Sequence, residues 1–172
     1  MNEVFLDLYK HNLWANQKLL AACESLPAEV LDADAKGTYG TIRDTLVHLL
    51  AAEGRYLSAI SGQEQPPADA LREGDFPGVA VLKNRARVSG TALRELAESA
   101  ESNELMKIER GGEQFEIPLS IFFAQAINHA TEHRSHVCTI LTQQGIEPPR
   151  VDIWGYWETA ESTGRAYRRS RR

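Results

Sequence analysis

Two histidines one helical turn apart, His129 and His133, sit in a long apolar-periodic segment running from about Pro118 to Gln144. A helix turns ~100° per residue, so the pair shares one face. At that spacing two imidazoles can grip one metal ion. His136 falls on nearly the same face, with Phe122, Ala126 and Ile140. Imidazoles in an apolar stripe are costly unless each ring nitrogen finds a partner, and a metal would supply one. The alternative is a hydrogen-bonded polar seam, and a helical histidine pair by itself does not choose between the two.

A third ligand from another helix would tip the balance. His48 is the other histidine on an inward arc, in a segment that can face the His129 helix. His48, His129 and His133 would make a three-nitrogen site with room for water or substrate, as in catalytic zinc sites. His136 lies two turns from His129, ~10 Å along the axis at 1.5 Å per residue, so the two do not share an ion. Pairing of His133 with His136 stays open as an alternative. The preferred assignment gives His136 the pocket wall, with Tyr56, Asn12 and Phe122 as further wall candidates.

The elements that must position these residues read as follows. Val4 to about Leu26 predicts a first helix, with Phe5, Tyr9, Leu13, Leu19, Leu20 and Cys23 on its apolar arc and His11 on the outer face. Asn12 and Asn16 lie inside that arc and need hydrogen-bond partners. They either hold a neighbouring helix or line a pocket. Leu31 to Gly40 is a connection with turn signals. Thr41 and Asp44 form an approximate capping box for a second helix that Gly62 ends. Glu53 sits within its apolar stripe and requires an arginine, an imidazole N–H or an amide as partner. Arg85, in a third helix from about Gly78 to Ser102, is one candidate. Met106, Ile108, Phe115 and Ile117 alternate with polar residues around Gly111-Gly112, a hairpin signal. Pro118 then suits the start of the fourth helix, and Gly145 its end. The aromatic stretch Ile153 to Trp157 packs on the bundle or closes over a pocket. Four long helices predict an all-α four-helix bundle, in which metal sites arise from inward side chains of facing helices.

Composition bounds the function. A chain of 172 residues with 42% hydrophobic and 25% charged residues fits one domain with a substantial core, taken as residues 1–163, followed by a basic, mobile tail at 164–172. No apolar run approaches the ~20 residues of a membrane span. The start of the chain lacks a signal-peptide pattern, so a cytoplasmic location is expected. Cys23 and Cys138 read as free thiols. A net charge of −5 argues against a nucleic-acid partner, with the arginines at 165, 168, 169, 171 and 172 as a local exception.

The chain resembles the DinB/YfiT-like metalloenzymes. The matching pieces are Tyr9 with Trp14-Ala15-Asn16, the stretch from His48 to Glu53, and Asn128-His129-Ala130-Thr131-Glu132-His133-Arg134, with Asp152 to Tyr156 resembling the tail of some members. The resemblance spans nearly the whole chain. It implies an up-down-down-up bundle, often a homodimer, with a divalent metal on His48, His129 and His133. It also implies a small-molecule substrate, and relatives that use low-molecular-weight thiols in transfer or isomerisation. Where members often carry Arg-Gly-Gln, this chain has Arg134-Ser135-His136, which bears on substrate preference.

The expected function is therefore a metal-dependent thiol transferase or hydrolase, with Zn²⁺ first and Ni²⁺ or another divalent ion next. Glu53, Asn16 and Glu132 are candidates for handling protons or supporting the ligands. The alternative is a non-catalytic, metal-stabilised stress-response or ligand-binding protein.

Overall fold

A computed structural model describes residues 3–63, 75–100 and 104–159. The end of the predicted third helix beyond residue 100, most of the acidic loop after Gln63 and the arginine-rich tail lie outside the described residues.

Helix α1 spans Glu3–Cys23 and buries Tyr9, Ala15, Leu19, Leu20 and Cys23. It stops short of the expected Leu26. Pro27 lacks an amide hydrogen and instead precedes a one-turn helix, α2 (Ala28–Leu31), inside the segment read as a plain connection. Helix α3 (Ile42–Ser61) opens on the predicted capping box, in which Thr41 and Asp44 each bond the other's backbone N–H. It closes on Gly62, whose φ of 67° is the left-handed conformation that glycine adopts without a Cβ penalty. Helix α4 covers Val79–Ser99.

Strands β1 (Leu105–Arg110) and β2 (Glu113–Pro118) pair antiparallel, with Met106 opposite Ile117 and Ile108 opposite Phe115. Gly111 and Gly112 both have positive φ, 63° and 82°, as a two-residue hairpin turn of the I′ kind demands. Helix α5 (Leu119–Gln143) begins straight after the hairpin, tied to its base by Leu119 N–H donating to Glu104 O at 2.8 Å. A short helix, α6 (Ile153–Trp157), follows.

Two apolar clusters fix the helix directions. One joins Leu19 and Leu20 of α1, Leu46 and Leu49 of α3, Leu82 and Ala86 of α4, and Val137 and Ile140 of α5. The other joins Tyr9, Leu57, Leu93 and Phe123 from the same helices. The late part of α1 thus meets the early parts of α3 and α4 and the late part of α5. Helices α1 and α5 run one way, and α3 and α4 the other. The bundle is up-down-down-up, with α1 against α4 and α5, and α3 against α4 and α5. The described helices include none long and apolar enough to cross a membrane.

Candidate metal centre

Helix α5 presents His129 and His133 from successive turns toward α3, which supplies His48 from the facing, antiparallel helix. His129 Nε2 lies 3.1 Å from His48 Nε2 and 3.1 Å from His133 Nε2. All three ligand atoms fall within 4.8 Å of one another. Metal–nitrogen bonds of ~2.1 Å place ligand nitrogens about 3.4 Å apart at tetrahedral angles and about 3.0 Å apart at octahedral ones. The observed separations lie between these values.

The donor chemistry fits a cation. A ring nitrogen carries either one proton or one lone pair, so His129 Nε2 cannot fully satisfy two neighbouring Nε2 atoms by hydrogen bonding. Three lone pairs aimed at one ion remove that conflict. Burial, with the adjoining His133, His48 and Arg55, lowers the His129 pKa to about 4. Burial, with His136 beside it, also lowers His133, against the opposing pull of Glu132. Neutral imidazole is the form that binds metal. These three histidines could therefore hold a metal ion.

Aromatic rings frame the site. Tyr39, from the turn before α3, stacks on His48 with centroids 4.0 Å apart and meets His133 edge-on at 5.2 Å. Tyr56 approaches His129 edge-on at 5.9 Å. His136 packs T-shaped on His133 at 5.3 Å, and its own Nδ1 is buried with no hydrogen-bond partner among the described residues. Tyr39 was invisible as a site residue in the sequence. Its signal was an aromatic placed in a glycine-bounded turn next to the cap of the His48 helix.

The other two wall candidates are Asn12 and Phe122. Asn12 is buried and bonds Arg134 and Glu53. Phe122 is half-buried; its neighbour Phe123 takes the core position, with Tyr9 edge-on at 5.4 Å and the Tyr9 hydroxyl donating to Phe123 O at 2.9 Å. The core stripe of α5 runs through Phe123, Ala130, Val137 and Leu141. His133 is buried with Ala126 and Ile140 beside that stripe, whereas His129 and His136 are half-buried.

The centre of that stripe holds a cation instead. Arg134 is 2% exposed and donates from one terminal nitrogen to Asn12 Oδ1 at 2.6 Å and Asn16 Oδ1 at 2.8 Å. Asn16 Nδ2 donates onward to Glu53 Oε2 at 2.8 Å, and Asn12 Nδ2 does so at 3.4 Å. The Ser89 hydroxyl of α4 bonds Glu53 Oε1. Burial pushes the Glu53 carboxyl up, while Ser89, the Arg134 charge and the two amides pull it down. Burial lowers Arg134 to about 10, which leaves it charged near neutrality. The demand that Glu53 find an amide or arginine is met by Asn12 and Asn16, with Arg134 behind them; Arg85 contributes through its charge. Glu132 is exposed on α5.

The outer-face assignment of His11 is corrected. His11 is 8% exposed because the segment after α5 folds back over α1. His11 Nε2 lies 2.8 Å from Val151 O, and its ring and that of Trp14 pack against Tyr156 at 5.9 and 5.6 Å. Helix periodicity cannot reveal a face that is covered by a distant part of the chain. Ile153 to Trp157 thus packs on the bundle through α1, with Trp154 66% exposed on its far side.

Residues 1–168 match the model of a family described as the DinB family. The chain is 22% identical over 163 residues to Protein DinB of Bacillus subtilis strain 168, covering 91% of this chain and 95% of that one. It also resembles the crystal structure of a DinB-like protein from Bacillus cereus ATCC 10987, with a TM-score of 0.64 and 22% identity over 86% of this chain and 95% of that one.

Proposed function

This chain belongs to the DinB family, and from that premise we propose that it is a divalent-metal-dependent enzyme whose ion sits on His48, His129 and His133. The observation that carries this is the convergence of three Nε2 atoms from two antiparallel helices within 4.8 Å. Zn²⁺ suits an all-imidazole set best, and Ni²⁺ is the runner-up. A bound divalent ion would supply Lewis acidity and lower the pKa of a thiol or water at its open position.

The protein's own residues would do the rest. His129 and His133, whose pKa values burial lowers, are ready to ligate without first losing a proton. Tyr39 fixes the plane of the His48 ring by stacking on it, and Tyr56 borders His129. Tyr39 is 42% exposed and His48 and His129 are half-buried, so the cluster opens to solvent on the Tyr39 side. Glu132, on that accessible part of α5, is a candidate to hold a proton; Glu53 and Asn16 are engaged with each other inside the bundle. A thiol-dependent transfer or a hydrolysis is the reaction class proposed, in keeping with the family resemblance, which further implies a homodimer.

A purely structural metal is the weaker reading. Such sites are closed by four protein ligands, whereas the described residues offer three here. The bundle also has two apolar clusters and a buried polar network to hold it together. The test is elemental mass spectrometry on untagged protein, followed by a thiol-dependent activity screen of the metal-loaded form. Metal bound in proportion to chain, with turnover abolished in His48→Ala, supports the enzyme. Failure to take up zinc or nickel would leave a polar seam. Metal whose removal lowers the unfolding temperature, with no exchangeable ligand on it, would favour the structural reading.

A further inference from the structure

The polar core of the bundle has a geometry that apolar packing cannot explain. Four side chains, Asn16 at 0%, Asn12 and Arg134 at 2% and Glu53 at 4% exposure, are buried together where hydrocarbon would fit. They arrange as a relay. Arg134 donates to the carbonyl oxygens of both asparagines, and both asparagine NH₂ groups donate to the same oxygen of Glu53. Each amide therefore has its oxygen toward the cation and its nitrogen toward the carboxylate. Flipping either one would set NH₂ against guanidinium and oxygen against carboxylate. Ser89 brings in α4, so all four long helices contribute.

Buried ion pairs are poor sources of net stability, and their best-attested use is to fix register. A sliding apolar interface loses little when one helix moves past another. A charged relay is satisfied in a single alignment, because a shift of one turn, ~5.4 Å, leaves a guanidinium and a carboxylate buried without partners. The placement of the relay is specific. Arg134 directly follows His133 and is also anchored on α5 by donating to Thr131 Oγ1 at 2.9 Å. Glu53 follows His48 on α3. The two helices that carry the imidazoles are thus tied through α1, which carries none of the three.

We propose that Arg134, Asn12, Asn16 and Glu53 form a register lock that sets the rotation and height of α5 against α3, so that His48 meets His129 and His133 at metal-holding distance. The benefit to the ion rests on the metal assignment above; the lock itself is a property of the two helices. All four are positioning residues that act through the helix backbones.

The test pairs two readouts in Arg134→Lys, Asn16→Ala and the milder Asn12→Ala. The first is Co²⁺ affinity with the visible absorption of the bound ion, which reports coordination geometry. The second is the ¹H–¹⁵N signals of the histidine rings in metal-free protein. Leu93→Ala, in the apolar cluster at the other end, is the control for lost stability. The lock predicts Co²⁺ binding weakened about tenfold or more, a changed absorption band, and shifted His48, His129 and His133 ring signals. The control, at a similar loss of unfolding temperature, changes none of these. Folded variants with the wild-type Co²⁺ affinity, spectrum and ring signals would overturn the lock. If wild type binds no Co²⁺ yet the variants move the ring signals, the metal assignment fails and the lock stands. If neither variant nor control moves them, both fail. If the arginine and Asn16 variants do not fold, Asn12→Ala decides on the same criteria.

Discussion

His48 and His129 meet Nε2 to Nε2 at 3.1 Å from helices that run in opposite directions. His129 Nε2 lies equally close to His133 Nε2, and one ring nitrogen, with either a proton or a lone pair to offer, cannot fully satisfy both neighbours. The proposed cation resolves the conflict, and the first prediction follows from it. Purified protein should carry about one divalent ion per chain, as a three-nitrogen site implies. His129→Ala, which removes the nitrogen common to both short contacts, should abolish that stoichiometry in elemental analysis. His136→Ala should retain it, because His136 touches His133 by ring packing and stands outside the ligand cluster. Equal metal loss in both variants would place His136 among the ligands.

Acid should weaken the metal-free fold through the same ring. The His129 pKa falls to about 4 in the fold from an ordinary value of 6.5. Between those values the unfolded chain binds the proton and the folded chain does not, so stability is lost as pH drops from 6.5 toward 4. Solvent screening at a half-exposed ring holds the contribution to about 1–2 kcal/mol. The raised pKa of Glu53 works in the opposite sense, since the fold then keeps a proton that the unfolded chain has released. Comparing chemical denaturation of wild type and His129→Ala across this window separates the two effects. The wild type should show the steeper loss toward low pH, and parallel curves would contradict the assignment.

Tyr39 should matter more to the ion than to the fold. Its ring stacks on His48, yet it is 42% exposed in a turn. Tyr39→Ala frees the His48 ring to rotate and should weaken metal affinity several-fold, about 1 kcal/mol. Unfolding free energy should fall by no more than about 1 kcal/mol, as expected at a surface position. Titration calorimetry with Zn²⁺ beside a denaturation curve measures both. An affinity unchanged within error would remove Tyr39 from the site.

Removing both charges from the buried relay should cost less than the two single removals added together. Arg134→Met leaves Glu53 as a buried carboxylate held by two amides and the Ser89 hydroxyl, and Glu53→Met leaves Arg134 without its counter-charge. Each should lose about 3–5 kcal/mol, the usual penalty for an orphaned buried charge. The double variant should be less destabilised than the sum of the two, by about 1–3 kcal/mol of coupling. Simple additivity in denaturation would show that the two groups do not sense each other.

Local sequence was enough to place the main elements and to single out the three histidines as candidate ligands. Apolar periodicity located the four long helices. The Thr41–Asp44 box and Gly62 marked both ends of α3, and Gly111-Gly112 marked the hairpin, because caps and turns are set by local backbone chemistry that a few adjacent residues specify. The His129–His133 spacing signalled a shared face for the same local reason, and His48 followed as its partner from a facing helix. Tertiary structure decided what lies at the centre of each face. Which flank of α5 is core depends on where α1 and α3 sit, so Arg134, Phe123 and His133 took the interior while Phe122, His129 and His136 are half-buried. Glu53 announced that it needed a partner, but Asn12, Asn16 and Arg134 converge on it from two other helices that no periodicity connects. His11 and Tyr39 were misplaced or missed because their partners, Val151 and His48, are brought to them by chain folding rather than by spacing along one helix.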